Sequence, residues 1–275
     1  MTNTPATADA PATADHLLVL GDDGSPAADL AWLWINCHEW PQWRLEIVTA
    51  EATTNFRVDS DRASLRPWQP DNPRRPFAES QLRDVAWLTC ELDPRLALSR
   101  PADLLVIGRR GPGLAKAMHL GSTAEWLMAH PPAPMLIVRH GRRTRSAVVC
   151  ADGSPHSLAA ASTLASMPWI GGVAITVVSV DDGDVDVEPA VEATSALFSG
   201  TGAQIQRRDA RGEPTHELLA VLEEIRPDLV ALGTQGLTGI KRLRLGSTAG
   251  VVTHAVDCSI LLASDESALA SSEDR

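Results

Sequence analysis

Short apolar runs alternate along the chain with polar, alanine-rich stretches of helical periodicity. SAVVC at 146–150 and SILLA at 259–263 are two of the apolar runs. Continuous runs of this length are typical of strands buried on both faces of a parallel sheet, with helices as the crossover connections. The pattern therefore predicts an α/β protein built from βαβ units.

The later half of the chain shows the elements most clearly. Strands are predicted at 146–150, 173–180, 203–208, 228–232 and 259–263, and helices at 155–167, 187–199, 215–226 and 247–256. Ser154 and Pro155 suit the N-cap and first turn of a helix, as do Ser25 and Pro26 in the earlier half. The earlier half is less regular, since the proline-rich stretch 52–81 predicts a long irregular loop and the third helix is predicted to be short.

The chain repeats itself. Residues 16–34 (HLLVLGDDGSPAADLAWLW) match residues 146–164 (SAVVCADGSPHSLAAASTL), and residues 102–127 match 227–252 without a gap, displaced by 125 positions. Self-similarity over both ends of a copy indicates a tandem duplication. We therefore predict two tandem five-stranded parallel-sheet, Rossmann-like domains. Because duplicated domains commonly retain the isologous contact of an ancestral dimer, we expect the two to be related by pseudo-twofold symmetry.

The repeat also predicts the boundaries of the domains. They are a disordered arm at 1–15, copy one at 16–140, copy two at 146–263 and an acidic tail at 264–275. The arm lacks the basic and apolar regions of a signal peptide, and no apolar run approaches the roughly 18 residues needed to cross a bilayer. A cytoplasmic protein is expected. The apolar last strands, 134–138 and 259–263, are expected to be buried where the two copies meet.

The charge balance argues against two classes of partner. The chain has 35 acidic and 24 basic residues, and its formal net charge at pH 7 is -11. Such a charge repels phosphate backbones and anionic membrane surfaces. We therefore expect no nucleic-acid partner and no membrane partner.

Each copy has the same glycine pattern directly after a predicted buried strand. The pattern Gly-x-x-Gly, nine residues, Gly-Ser-Thr occupies Gly108, Gly111, Gly121, Ser122 and Thr123 in copy one and Gly233, Gly236, Gly246, Ser247 and Thr248 in copy two. Glycine at a strand end lets backbone amides turn toward a ligand with no Cβ in the way. A Gly-Ser-Thr that opens a helix adds amides, hydroxyls and the positive end of the helix dipole. The pattern predicts a triphosphate site in each copy.

An Asp-Gly-Ser-Pro motif follows the first strand of each copy and places Asp23 and Asp152 at corresponding positions. Taken alone, the motif fits an Asx or N-cap turn at the start of a helix. Its recurrence opposite a glycine loop favours contact with a ligand.

Together these motifs resemble the ATP-binding class of universal stress proteins, and the resemblance covers both copies. It implies a five-stranded parallel α/β domain with ATP at the carboxyl ends of the strands. It assigns the Gly, Ser and Thr residues of both glycine patterns to the phosphates. It further assigns Asp23 and Asp152 to the ribose or to phosphate-bound Mg²⁺, and the backbone of Ala50 and Val180 to the adenine.

The expected function is that of a cytosolic stress-response regulatory protein, in which ATP occupancy alters the conformation or the choice of a partner protein. The alternative is a slow ATP hydrolase. The sequence contains no Walker A motif and pairs no histidine with a nucleophile motif, so no catalytic residue is identified and at most weak ATPase activity is expected. A ligand-free scaffold would be favoured by degenerate glycine loops, whereas both loops are intact. A homodimer of tandem chains is a further expectation.

Overall fold

The fold is one continuous sheet covered by helices. The computed structural model describes residues 16–50, 66–67, 82–109, 120–183, 186–236 and 245–265. Within these ranges the chain forms eleven strands and seven helices, and the strands form a single mixed sheet. The α/β prediction is confirmed. No helix in these ranges is long and apolar enough to cross a membrane.

Strands and helices alternate in both copies. Copy one contains β1 (His16–Gly21), α1 (Pro26–Asn36), β2 (Trp40–Ala50), β3 (Arg66–Pro67), β4 (Leu82–Cys90), α2 (Pro94–Leu98), β5 (Leu104–Gly108), α3 (Ser122–Ala129) and β6 (Met135–Val138). Copy two contains β7 (Ser146–Cys150), α4 (Pro155–Ala165), β8 (Ala174–Asp181), α5 (Glu188–Leu197), β9 (Gln204–Arg211), α6 (Pro214–Ile225), β10 (Leu229–Gly233), α7 (Ser247–Ala255) and β11 (Ser259–Ala263).

Two predictions about irregular segments need correction. Most of the predicted loop 52–81 lies outside the described residues, but its described part is the strand β3, which pairs antiparallel with β4. The predicted strand 203–208 extends to Arg211. β9 is an edge strand with mostly exposed side chains, so it can continue through the charged residues Asp209 and Arg211. The short third helix of copy one is confirmed as α2, with five residues.

Serine caps fix the starts of α1 and α4, as predicted. The Ser25 Oγ accepts the amide of Ala28 at 3.1 Å, and the Ser154 Oγ accepts the amide of Ser157 at 3.1 Å. A proline follows each serine at the first helical position. Each serine therefore satisfies an amide that the helix itself leaves unpaired, and each proline presets the helical φ.

The order of the strands shows how the two copies meet. The sheet runs β3-β4-β2-β1-β5-β6-β11-β10-β7-β8-β9, so each copy contributes five parallel strands in the order third, second, first, fourth, fifth. β6 and β11 pair antiparallel, with Ile137 opposite Ile260 and Leu136 opposite Leu261. Every residue of both strands is buried. The predicted pseudo-twofold contact through the last strands is confirmed.

Helices cover the two faces of the sheet and enclose two apolar clusters. On one face α1, α4 and α5 pack over alternate strand residues, and on the other face α2, α3, α6 and α7 do so. Leu18 and Leu20 of β1 point to the first face, and Val19 between them points to the second. Burial on both faces explains why the strands are continuously apolar.

An aromatic cluster joins the two copies beside β6 and β11. The rings of Trp34 and His38, in and just after α1, lie 5.5 and 4.3 Å from the ring of Trp169 in copy two. The fully buried His38 donates from Nδ1 to the Trp34 carbonyl at 2.7 Å and accepts the Thr144 amide at Nε2 at 3.0 Å. A carbonyl only accepts and an amide only donates, so this imidazole is neutral.

A repeated aspartate holds the first strand of each copy. The Asp103 carboxylate accepts the Leu17 amide at 2.7 Å, and the Asp228 carboxylate accepts the amides of Arg145 and Ser146 at 2.9 and 3.2 Å. Burial raises the pKa of Asp228, but these amide hydrogen bonds and the charge of Arg142 outweigh it, so the pKa lies below its ordinary value. Neither aspartate was predicted from the sequence to have this role.

His38 is buried at the seam, the contact between the two copies along β6 and β11. Its burial predicts that the protein loses stability in mild acid. Burial lowers the pKa of His38 from 6.5 to about 4. As the pH falls below 6.5, the unfolded chain binds a proton at this residue that the folded chain does not bind until about pH 4. The stabilisation is therefore complete above pH 6.5, and up to about 3 kcal/mol is lost as the pH falls to about 4.

Denaturant unfolding of the wild type and of His38→Gln across this pH range measures the loss. The free energy of unfolding should fall more steeply with decreasing pH in the wild type than in the variant. Equal slopes would show that His38 titrates normally and that the seam does not exclude its charge.

Candidate functional site

The carboxyl ends of the parallel strands are the part of each copy where the predicted ligand residues should meet. Asp23 and Asp152 lie there, after β1 and β7. The Oδ1 atom of each accepts the amide of the serine two residues later, at 3.0 Å in copy one and 2.9 Å in copy two. The Asx turn that the motif permits is therefore present in both copies.

In copy two the glycine pattern lies against the aspartate. A Cβ built on Gly236 would lie 2.8 Å from Oδ2 of Asp152, and the Ser154 hydroxyl donates to the Gln235 carbonyl at 3.2 Å. Residues separated by more than 80 positions in sequence are thereby held together at one point. A side chain at position 236 would have to displace this carboxylate from the loop backbone. The corresponding Gly111 of copy one lies outside the described residues.

The glycines that end β5 and β10 have a packing role as well. A Cβ on Gly108 would lie 2.5 Å from the Ala27 carbonyl oxygen, and one on Gly233 would lie 2.6 Å from the Ser157 nitrogen. These atoms belong to the first turns of α1 and α4, which are rigid backbone. Glycine is therefore required here by the close approach of helix and strand, whatever a ligand adds.

The Gly-Ser-Thr segments open helices, as predicted. The Gly121 amide donates to the Arg109 carbonyl at 3.1 Å, and the Gly246 amide donates to the Thr234 carbonyl at 2.7 Å. These bonds tie the start of α3 to the end of β5 and the start of α7 to the end of β10. Neither glycine offers a side-chain cap, so backbone amides of the first turn are left for a ligand.

The serine and threonine hydroxyls lie at the helix starts. Ser122 and Ser247 are exposed, and Thr123 and Thr248 are half-buried. The Thr248 hydroxyl lies 3.1 Å from the Thr215 hydroxyl in the first turn of α6. Thr215 was not predicted from the sequence, although its position after the third strand of copy two places it at the same edge.

Ala50 and Val180 lie at the ends of the second strands. Ala50 pairs with Cys90 in β4, and Val180 pairs with Ala210 in β9. Both residues are half-buried at the carboxyl edge of the sheet. The structure thus brings the described members of each predicted set to one edge, the edge that the resemblance requires.

A carboxylate caps the helix next to the copy-two residues. Glu213 accepts the amides of Thr215 and His216 at 3.1 and 2.6 Å. These hydrogen bonds hold the pKa of Glu213 below its ordinary value. The edge therefore carries several carboxylates, Asp152 and Glu213 among them, and an anion bound there would need a cation beside it. Over the described part of the chain, no three His, Cys, Asp or Glu side chains form a group that could hold a metal by themselves.

A doubled five-stranded α/β unit with a glycine pattern at the carboxyl edge defines a class of protein. Comparison of the chain with protein-family models identifies that class. The model of the universal stress protein family matches residues 91–139 and 144–264. The chain belongs to the universal stress protein family.

Relatives of full length share the doubled arrangement. The chain is 24% identical over 288 residues to a universal stress protein of Mycolicibacterium smegmatis, and the alignment covers 90% of this chain and 97% of the relative. It is 25% identical over 293 residues to one of Mycobacterium tuberculosis, covering 90% of this chain and 95% of the relative. A universal stress protein structure from Archaeoglobus fulgidus superposes with a TM-score of 0.60 at 15% identity, covering 91% of this chain and 98% of that one. At this identity the structural match supports the fold.

The close approach of α4 to β10 predicts a contrast between two glycines of copy two. Gly233→Ala should lower the free energy of unfolding by about 1–3 kcal/mol, because its Cβ meets backbone atoms. Gly250→Ala is the matched control, since its Cβ meets nothing closer than 3.8 Å inside α7. The control should be stabilising by about 0.5–1 kcal/mol, the usual gain for alanine over glycine in a helix.

Denaturant unfolding of both variants measures the contrast. If the two substitutions change stability equally, the packing role of Gly233 is wrong.

Proposed function

We propose that this protein binds ATP with Mg²⁺ at the carboxyl edge of each copy and acts as a stress-response regulator. In this proposal nucleotide occupancy biases the conformation or the binding of a partner protein. The observation that carries the proposal is the contact in copy two between the glycine loop and the aspartate, where a Cβ on Gly236 would have to displace the Asp152 carboxylate.

In copy two the phosphates would lie at the start of α7. The amides of Gly246 to Thr248 and the hydroxyls of Ser247 and Thr248 are donors there, and the helix dipole adds positive potential. The Gly246 amide itself donates to Thr234, so the amides that follow it in the first turn are the ones that remain for a phosphate. The backbone at Val180, at the end of β8, would contact the adenine.

The residues present fit a phosphate-bound magnesium ion. Oδ1 of Asp152 accepts the Ser154 amide, while Oδ2 faces the glycine loop where the phosphates would lie. Mg²⁺ is usually bound through one or two carboxylates and the phosphates themselves, which does not require a cluster of protein ligands. When bound, the ion supplies the positive charge that offsets the phosphates against Asp152 and Glu213.

Copy one has the same framework, so the proposal includes a second site. Asp23 forms the same turn as Asp152, and the Gly121 amide makes the same bond to the end of its strand as Gly246. Ser122 and Thr123 open α3 as Ser247 and Thr248 open α7.

The position of α3 and α7 supports a regulatory role. Each helix begins at the proposed phosphate site of its own copy and leads directly into the strand that joins the two copies, α3 into β6 and α7 into β11. Buried residues of both helices share one apolar cluster with those strands. A ligand that holds the start of α7 therefore acts on an element packed against the seam.

Native mass spectrometry of purified protein with added ATP and Mg²⁺ tests the proposal. The wild type should bind two nucleotides per chain. Gly236→Val should bind one, because the new side chain displaces the Asp152 carboxylate and blocks the loop. Gly250→Ala, one turn into α7 with free space around it, should still bind two.

Nucleotide binding at neither copy would overturn the proposal. Loss of both nucleotides in a folded Gly236→Val variant would show that the sites are not separate.

Phosphate release distinguishes the regulator from the alternative hydrolase. With ATP and Mg²⁺ in excess, release should be far below the rate of a typical enzyme, on the order of 10 per second. The expected reason is that phosphate-positioning groups are present and no base for the attacking water has been identified. Typical enzyme turnover that persists through purification and falls in Gly236→Val, which loses the copy-two site, would favour the hydrolase.

A further inference from the structure

The two copies differ in charge at a pair of neighbouring strand ends on the carboxyl edge. In copy one the last paired residues of β5 and β6 are Gly108 and Val138, and the next residues are Arg109 and Arg139. In copy two the last paired residues of β10 and β11 are Gly233 and Ala263, followed by Thr234 and Ser264. Neighbouring strands lie about 5 Å apart, so the members of each pair are adjacent. Two arginines in copy one thus replace two neutral residues in copy two.

The arginine pair faces the helix that begins at the proposed phosphate site. Ile107 and Ile137, two residues before the arginines, both point to the face that α3 covers. Alternation along a strand directs Arg109 and Arg139 to that same face. The Gly121 amide that opens α3 donates to the Arg109 carbonyl at 3.1 Å. The backbone of Arg109 therefore meets the first turn of α3, and Arg139 ends the neighbouring strand on the same face.

The guanidinium of Arg139 lacks a full set of partners. Its Nη2 atom donates to the Thr253 carbonyl near the end of α7, while its Nε and Nη1 atoms are buried without a hydrogen bond. Burial and the charge of Arg109 lower the pKa of Arg139 to about 10, and the opposing effect of Asp257 is smaller. Two cations that repel each other in a half-buried position are stabilised when an anion binds between or beside them.

We propose that the arginine pair makes copy one selective for the number of phosphate charges on its nucleotide, so that it favours ATP over AMP more strongly than copy two does. This inference rests on the proposed function and adds the ligand class of each site. Arginine is suited to the role because it keeps its charge when partly buried and presents several donors to phosphate oxygens.

Acidic residues near the pair oppose its effect, and one of them differs between the copies. Glu125 lies in the first turn of α3, and the corresponding residue of α7 is Gly250. The selectivity of copy one thus depends on the two arginines outweighing the carboxylates near them, Glu125 and Asp257 among them. Removing either arginine should consequently have a large effect on the more highly charged ligand.

Titration calorimetry in the Gly236→Val background, which leaves copy one, tests the proposal. With Mg²⁺ present, ATP should bind at least about tenfold more tightly than AMP. Arg139→Gln should reduce this ratio by about tenfold and change AMP affinity by less than about twofold, because the pair acts on the added phosphate charges. Arg139→Lys, which keeps the charge, should retain most of the ratio.

Two further variants separate charge from structure. Arg109→Gln should reduce the ratio of ATP affinity to AMP affinity in the same way. If Arg139→Gln unfolds because it loses the Thr253 contact, the Arg109→Gln variant alone tests the proposal. Ser264→Gln, at the matching position of copy two, should leave both affinities of copy one unchanged. The copy-two site is present in the wild type and lost in Gly236→Val. Its ratio of ATP affinity to AMP affinity should be smaller than that of copy one.

The outcomes distinguish this inference from the proposed function. If copy one binds ATP and AMP and neither arginine variant changes their ratio, the arginine pair is not selective and the proposed function stands. If neither nucleotide binds to either copy, the proposed function fails and the inference fails with it.

Discussion

The antiparallel pairing of β6 with β11 is the interaction on which the rest of the arrangement depends. Each copy has its fifth strand at one edge of its own sheet, and such an edge would expose unpaired amides and carbonyls. Pairing the two edges satisfies these groups and makes one sheet from two. Because the pairing is antiparallel, the carboxyl edge of one copy continues as the amino edge of the other. The two candidate sites are therefore at opposite edges of the sheet.

This geometry explains the contacts around the seam. Arg139 follows β6 at the carboxyl edge of copy one, and for that reason it meets Thr253 near the carboxyl end of α7 in copy two. A cation there also interacts favourably with the negative end of the helix dipole. On the opposite face, His38 binds Thr144 in the linker and packs against Trp169. Both faces of the sheet are thus held across the seam, and α7 is in direct contact with copy one.

Sequence patterns predicted most of the fold because strands buried on both faces are continuously apolar and serine and proline mark helix starts. β7 and β11 have the predicted ends, and α1 and α4 begin at the predicted caps. The end of β9 was missed because an edge strand tolerates charge. The roles of Asp103 and Asp228 were missed because each accepts amides from the start of a neighbouring strand, and the sequence does not show which strands are neighbours. The same applies to Thr215, which comes near Thr248 only through the packing of α6 on α7.

The two copies show which features a duplicated chain retains and which it varies. Gly108 and Gly233 are both pressed against helix backbone, a constraint that no change elsewhere relieves, and both copies have glycine there. Arg109 and Thr234 have the same backbone role, since each carbonyl accepts the amide that opens the following helix. Their side chains do not take part in that bond, so the charge at the edge can change without loss of the fold. Differences in ligand preference between the copies should therefore be sought in the side chains at the strand ends and not in the glycine pattern.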